Sequence, residues 1–441
     1  MDRLRRPLAD HVVLVSIDGL RAKTYRDAEW PTPILIELGR HGAVALAVRS
    51  VFPALTYPAH ATLVTGALPA HHGIVHNEPF QPLGQSGRWI WESKAFRTPT
   101  LWDAVRARGG TTAAISWPVT LGAAIDWNVP DVWDPSDPGS IAPIRNATTP
   151  PGLFAELERE ATGLLSDRTF SLGSVGREDV VGAMAAYLFD RHRPTLTLVH
   201  AIGLDHVRHR LGADNPAAVR AVAAADRALA RIVETVERLG LVDRVTFIVT
   251  GDHGSVDVHT TLLPNVWLRE AGLLPASSDP NAWRALFHAS GGSAFLRLAP
   301  NAPPETLASI RAKLASLPPG VRALFRIVER AELDALGADP ESALALTAIA
   351  GVVFSPDRDG EPTQAAHGAG HGYHPEMPDM TTGFIAAGAG IRSGAVIPLM
   401  PMQHVAPIIA ALLGLDLPDV DGTLLPGVLS GTVEQLASSR P

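Results

Sequence analysis

The stretch Val245-Thr-Phe-Ile-Val-Thr-Gly-Asp-His-Gly-Ser255 constrains this chain more than any other. Five β-type, mostly apolar residues run into Thr-Gly, and an acid and an imidazole, Asp252 and His253, follow side by side. A strand buried on both faces has this composition, and open α/β sheets gather their chemistry at the carboxyl ends of such strands. Because the chain turns there, adjacent Asp and His side chains can both reach one cation. The pattern recurs. Val12-Val-Leu-Val-Ser-Ile17 is closed by Asp18-Gly19, and a third strand, Thr195 to His200, has Asp205 and His209 just beyond it. Three strand ends that each deliver an acid predict one convergent two-metal site.

Between these strands lie helical stretches, among them Pro31 to Gly42, Thr56 to Thr65 and Pro216 to Leu239. Alternating strands and helices predict an α/β fold with a mostly parallel central sheet flanked by helices. Residues 8–274 and 356–430 are expected to form the core. Residues 275–355 read as a smaller inserted subdomain, with strands at Ser293 to Leu298 and Thr347 to Phe354. The segment 118–151, rich in Pro, Asp, Gly and Trp, is expected to be a long surface loop.

Composition narrows the chemistry. The 441 residues are 46% hydrophobic and 19% charged, as in a folded globular chain. With no cysteine, thiolate metal sites are excluded, so ligands must be carboxylates, imidazoles or hydroxyls. A net charge of −8 argues against a nucleic-acid polymer as partner. Met1 to Arg6 is basic but no apolar leader core follows, and Val405 to Leu415 is too short to span a bilayer. The expected compartment is the cytoplasm, without a membrane partner.

The candidate ligands are Asp18, Asp205 with His209, Asp252 with His253, and His371 or His374 in the loop Ala366-His-Gly-Ala-Gly-His-Gly-Tyr-His374. Taken singly, each has a plain structural explanation: a turn after a strand, or a surface pair one helical turn apart. Their joint arrangement points to a metal. Carboxylates and imidazoles suit Zn²⁺, with Mn²⁺ or Fe as weaker options. Two ions about 4 Å apart can clamp the attacking and leaving oxygens of a displacement at phosphorus. Thr56, at the start of a helix, is the candidate nucleophile, because backbone N–H groups and the helix dipole there favour an alkoxide and an anionic phosphoryl group. An ordinary N-cap threonine is the competing explanation.

With these residues in place, the sequence resembles the alkaline phosphatase superfamily, most closely its nucleotide pyrophosphatase/phosphodiesterase branch. Ser16-Ile-Asp-Gly19, Phe52-Pro-Ala-Leu-Thr56 through Thr65-Gly66, His72-Gly-Ile-Val-His-Asn77, Asp205-x-x-x-His209, Thr250-Gly-Asp-His-Gly254 and Gly370-His-Gly-Tyr373 match six motifs in order. The resemblance implies an alkaline-phosphatase-like sandwich and two divalent ions, most simply Zn²⁺. Asp18, Asp252 and His253 would hold one ion, which also contacts Thr56. Asp205, His209 and His371 would hold the other. Asn77 would donate to a phosphoryl oxygen. The implied activity is hydrolysis of phosphodiester or nucleotide pyrophosphate bonds through a phospho-threonine intermediate. One departure stands out: the branch commonly has an acid after His-Gly-Tyr, where this chain has His374.

Other activities on the same scaffold compete. Phosphonoacetate hydrolases share the Thr and Asn segments, but the lysine pair that binds their carboxylate is missing from Ala113 to Thr120. A phosphomonoesterase would need more positive charge near Thr56. Sulfatases carry a modified Cys or Ser at the nucleophile position. A catalytically silent binding protein would not need the intact set of ligands. The substrate is expected to be a small phosphate ester, nucleotide or phosphonate. Trp117 and Trp91, in a cluster with Trp89, Trp127 and Trp133, are candidate walls for its leaving group, unless they simply pack the core.

Overall fold

The structure, a computed structural model, describes residues 6–27, 29–82, 87–171, 173–174, 176–275 and 282–430. Its two main sheets comprise β1 (His11–Ile17), β2 (Ala43–Arg49), β3 (Thr112–Ile115), β4 (Trp127–Val129), β5 (Leu196–Ala201), β6 (Val245–Thr250), β7 (Ala285–Ser290), β8 (Ser293–Leu298), β9 (Phe325–Glu329), β10 (Leu344–Ala348), β11 (Thr382–Gly388), β12 (Val396–Ile397) and β13 (Met400–Pro401). The helices that position the site are α1 (Pro33–His41), α2 (Thr56–Thr65), α3 (Arg177–His192), α4 (Gly203–Leu211), α5 (Pro216–Arg238) and α6 (Val405–Leu413).

The central sheet has nine strands in the order β12-β2-β11-β6-β1-β5-β3-β4, with β13 also paired to β2. Every pairing is parallel except those of β11, which runs antiparallel to both β6 and β2. The sheet is therefore mixed, although most of it is parallel as expected. Its strands are apolar without alternation because both faces are covered. In β1, Val13, Val15 and Ile17 pack into a core shared with Val181 and Leu188 of α3 and with Val222 and Leu229 of α5. Val12 and Leu14 face the opposite core, with Ile408, Ile409 and Leu412 of α6.

The ends of these helices follow from sequence. Asn215 accepts from the N–H groups of Ala217 and Ala218, and Pro216 occupies the first turn of α5. Gly66, at φ 69°, ends α2 by donating its N–H to the Thr62 carbonyl.

The second sheet is antiparallel, in the order β9-β10-β8-β7. One face packs with Ile310 and Leu314 of the helix Thr306–Ser316, and the other brings Phe295 and Ala345 against Phe52, four residues before Thr56. Two expectations need correction. The segment 118–151 is not a free surface loop throughout. It carries β4, which closes the edge of the central sheet, and a helix at Ala142–Ala147, and it buries Val129, Val132 and Ile144. A three-residue strand among prolines and acids is too short to show a period. The apolar run Thr347 to Phe354 is two elements: β10 ends at Ala348, and a turn leads into a separate strand, Val352–Phe354. Among the described residues, no helix is long and apolar enough to cross a membrane.

Candidate active site

In the sheet order β5-β1-β6 the three acid-bearing strands are neighbours, so their carboxyl ends open on one spot. Asp18 follows β1 directly, and Asp252-His253 follow β6 after one glycine. From β5 the chain turns into α4, where Asp205 and His209 stand one turn apart, with His209 Nε2 3.0 Å from Asp205 Oδ2. His371 arrives from the far end of the chain. The strand before it, Ala369–Gly370, pairs antiparallel with Val256–Asp257, just beyond the Asp252-His253 turn.

Six side chains thus meet. Ligand atoms of Asp205, His209 and His371 lie within 4.8 Å of one another, and so do those of Asp18, Asp205 and His253. Asp205 reaches both groups. Asp252 adjoins the second, with Oδ2 3.1 Å from His253 Nε2. The other Asp252 oxygen accepts the backbone N–H groups of Gly19 and His253, both at 3.0 Å, which locks the carboxylate in place. Among the described residues, Asp18 Oδ1 and Asp252 Oδ2 are buried without hydrogen-bond partners. Nδ1 of His371 faces the Ala54 carbonyl and Nδ1 of His253 faces the Gly254 carbonyl, each at 3.0 Å. Those carbonyls need a donor, so the proton sits on Nδ1 and each Nε2 turns its lone pair toward the cluster. Nε2 of His371 lies 3.0 Å from Nε2 of His209.

The electrostatics describe a pit of negative charge. Burial raises the Asp18 carboxyl well above its ordinary range, and the Asp252 and Asp205 charges raise it further. Burial likewise raises Asp252. Burial would raise Asp205 too, but the His209 imidazole outweighs it and holds Asp205 well below the usual range. In return, Asp205 lifts His209 to about 9. Burial lowers His253 to about 4 and His371 to about 3, which keeps them neutral, whereas His209 would release its proton on binding a cation. Unpartnered buried carboxylate oxygens beside inward-facing imidazole lone pairs fit divalent cations held by oxygen and nitrogen.

Thr56 is the first residue of α2. Leu55, in extended conformation, holds the cap position, so the N-cap explanation of Thr56 does not apply. Its hydroxyl lies 3.4 Å from His253 Nε2, at the edge of the cluster. Asn77 is beside it: its Oδ1 accepts the Tyr57 N–H at 2.9 Å, and its amide nitrogen remains as a donor.

His374 does not join the cluster. It packs against Phe52, ring to ring at 5.3 Å, and its Nε2 lies 3.2 Å from Glu332. Trp117 is fully buried, edge-on to His60 at 5.0 Å. Trp91 is 7% exposed and packs edge-on against Trp133, which meets Trp89, which in turn meets Tyr57 beside Thr56.

Sequence reasoning missed two groups that surround the ligands. His200 Nε2 lies 3.2 Å from Asp18 Oδ2. His60 reaches the Thr56 carbonyl at 2.8 Å and lies 3.7 Å from Asp252 Oδ2. A lone imidazole inside an apolar strand, one pairing step from the Asp18 turn, was the signal for His200.

This constellation on this sheet defines a class. The chain matches the family model for type I phosphodiesterase / nucleotide pyrophosphatase over residues 12–374, and it belongs to that family. Human ectonucleotide pyrophosphatase/phosphodiesterase family member 5 is 26% identical over 255 residues, 56% of this chain and 46% of that protein. A pyrophosphatase/phosphodiesterase of Schizosaccharomyces pombe is 25% identical over 276 residues, 62% of this chain and 50% of its own length. The chain spans about half the length of these curated relatives. The solved structure of murine ectonucleotide pyrophosphatase/phosphodiesterase 5 superposes with a TM-score of 0.69 at 21% identity, covering 95% of this chain and all of that one. An inactive threonine-to-alanine variant of the murine protein, in complex with AMP, superposes at 0.67 with 20% identity, covering 94% and 97%. These likenesses show the fold, the alkaline-phosphatase-like arrangement expected from the motifs.

Proposed function

We propose that this chain hydrolyses phosphodiester or nucleotide pyrophosphate bonds with Thr56 as nucleophile. The observation that carries the reading is the Thr56 hydroxyl at a helix start, 3.4 Å from His253, beside two overlapping ligand groups. Asp18, Asp252 and His253 would hold one ion next to Thr56, and Asp205, His209 and His371 the other. Two divalent ions, for which Zn²⁺ best suits the donor set, would neutralise phosphoryl charge and activate oxygen nucleophiles at neutral pH.

The chain's own residues do the rest. A phosphoryl group over the start of α2 meets the Thr56 N–H and the Asn77 amide, which stabilise charge building on its non-bridging oxygens. Thr56 Oγ bonds to phosphorus as the bond to the leaving oxygen breaks. Water then cleaves the phospho-threonine, releasing the phosphoryl product and restoring Thr56. Asp252, pinned by two backbone N–H groups, cannot swing to follow the reaction, so the site is organised beforehand.

A small nucleotide is the proposed substrate class, supported by the murine relative's complex with AMP. A cytoplasmic location is carried as part of this reading. The human relative is named an ectoenzyme, and cell fractionation decides between the compartments. The deciding assay compares turnover of bis-p-nitrophenyl phosphate, p-nitrophenyl phosphate, a dinucleotide and phosphonoacetate in the presence of Zn²⁺. The diester or dinucleotide should be fastest, and dominance of phosphonoacetate overturns the reading.

A further inference from the structure

Two oppositely charged residues at the start of α3, Arg177 and Glu178, are almost completely enclosed, at 1% and 3% exposure. Dry charges are costly unless their hydrogen bonds are made and used. Each charge favours the other through space, but their hydrogen bonds go to separate partners. Successive helix positions point about 100° apart, and these two side chains reach different elements of the site.

Glu178 Oε1 accepts the N–H of Gly203, the first residue of α4, at 2.7 Å. That helix carries Asp205 and His209. A Cβ at residue 203 would stand 2.7 Å from the same oxygen, so glycine is what lets the carboxylate approach. Arg177 donates from Nη1 to the Phe170 carbonyl at 2.7 Å and from Nη2 to Ser116 Oγ at 3.0 Å. Its guanidinium lies 4.7 Å over the Phe170 ring and 4.0 Å from Asp131. Ser116 ends β3 in the left-handed region, at φ 57°, which non-glycine residues seldom adopt. In that conformation its hydroxyl meets Arg177 while its carbonyl lies 3.0 Å from His200 Nδ1. The other nitrogen of His200 is the one that meets Asp18.

We propose that Arg177 and Glu178 are positioning residues that brace the two halves of the centre separately: Arg177 through Ser116 and His200 to Asp18, and Glu178 through the start of α4 to Asp205 and His209. This rests on the two-ion reading above. A purely structural pair would affect folding without distinguishing the halves.

The test is Zn²⁺ affinity of the full chain by chelator competition, resolved into two sites, with His209→Ala and Asp252→Asn identifying which is which. Residues that orient metal ligands commonly influence affinity by about 10–100-fold. Glu178→Leu should weaken the Asp205/His209 site about tenfold and leave the other within about threefold. Glu178→Gln, whose amide oxygen still accepts the Gly203 N–H, should restore it. Ser116→Gly tolerates the positive φ but drops the Arg177 link, and should weaken only the Asp18 site. Should Glu178→Leu fail to fold, Glu178→Ala takes its place for the Glu178 half, and Ser116→Gly decides the Arg177 half. Wild-type affinities in folded Glu178→Leu or Ser116→Gly, or equal loss at both sites, overturn the proposal. A wild-type chain that binds no divalent ion overturns the two-ion reading instead, and the proposal with it.

Discussion

Asn77 has two separable jobs, and two substitutions divide them. Its Oδ1 accepts the Tyr57 N–H at 2.9 Å in the interior, satisfying a donor that a helix start leaves over. Its amide nitrogen is the proposed donor to the phosphoryl group. Asn77→Ala removes both functions. Asn77→Asp keeps an acceptor for Tyr57 and removes the donor. A side chain that satisfies a helix-start N–H contributes about 1 kcal/mol, so Asn77→Ala should lower the unfolding free energy by about that much. Asn77→Asp should lower it by less than about half of it, since an acidic group suits a helix start. Removing a preorganised donor from developing charge costs about 2.7–4 kcal/mol of transition-state stabilisation, or about 10²–10³ in kcat. Both variants should lose at least that much, the aspartate more, because it adds repulsion toward the phosphoryl oxygens. Urea unfolding of the Zn²⁺-loaded protein and steady-state kinetics on a diester measure the two effects. Wild-type turnover in Asn77→Asp would refute the donor role. Equal destabilisation by Asp and Ala would refute the assignment of Oδ1 to Tyr57.

Thr56→Ala should lower kcat more than about 10³-fold, as loss of a covalent nucleophile does, with metal content by elemental analysis unchanged; wild-type rates would rule out covalent catalysis. Exhaustive chelation should abolish activity, and added Zn²⁺ or Mn²⁺ should restore it with about two ions per chain; full activity in the stripped protein would end the two-ion reading. His72 is held neutral: its Nδ1 accepts the Ile74 N–H at 3.1 Å, its Nε2 meets Thr62 Oγ1 at 3.0 Å, and burial lowers it to about 3. Its folded pKa is below its unfolded value, so the stability it contributes is present above about pH 6.5 and is lost as pH falls toward 3, by up to about 1.4 kcal/mol per pH unit. Urea unfolding of wild type and His72→Gln between pH 6.5 and 4.5 should show a shallower slope in the variant, and parallel slopes would refute this.

The cluster of candidate ligands was legible because its signals are local. An acid directly after an apolar strand reads as a strand-end ligand wherever the strand lies in the sheet, and Asp18 and Asp252 needed only that. Asp205 and His209 needed only helical spacing. What depends on distant pairing was not legible. The reversed direction of β11 leaves no mark on Thr-Gly-Phe-Ile-Ala-Ala-Gly388, since a strand buried on both faces has the same apolar composition in either direction. The roles of His200, Arg177 and Glu178 depend on which elements α3 and β5 touch. Tryptophan suits a core as well as a ligand wall, and what the Trp117 ring meets, His60, lies far from it in sequence.

The last candidate ligand, His371, ties the smaller sheet to the cluster. His371 stands on a loop that the central sheet does not hold directly. Its backbone carbonyl accepts the Gly292 N–H at 2.8 Å, from the turn between β7 and β8. A Cβ on Gly291 would fall 2.1 Å from that carbonyl, and one on Gly292 would fall 2.2 Å from the Tyr373 ring. Only a two-glycine turn lets the smaller sheet close on the loop this tightly. On its other side the loop is tied to the nucleophile segment: the Ala54 carbonyl takes both the Gly372 N–H at 2.9 Å and His371 Nδ1 at 3.0 Å, two residues before Thr56. The His371 loop, the segment before Thr56 and the hairpin turn therefore form one knot of hydrogen bonds. A displacement of β7 and β8 would reach His371 and Thr56 together, so on the proposed reading the second sheet acts on the site through geometry.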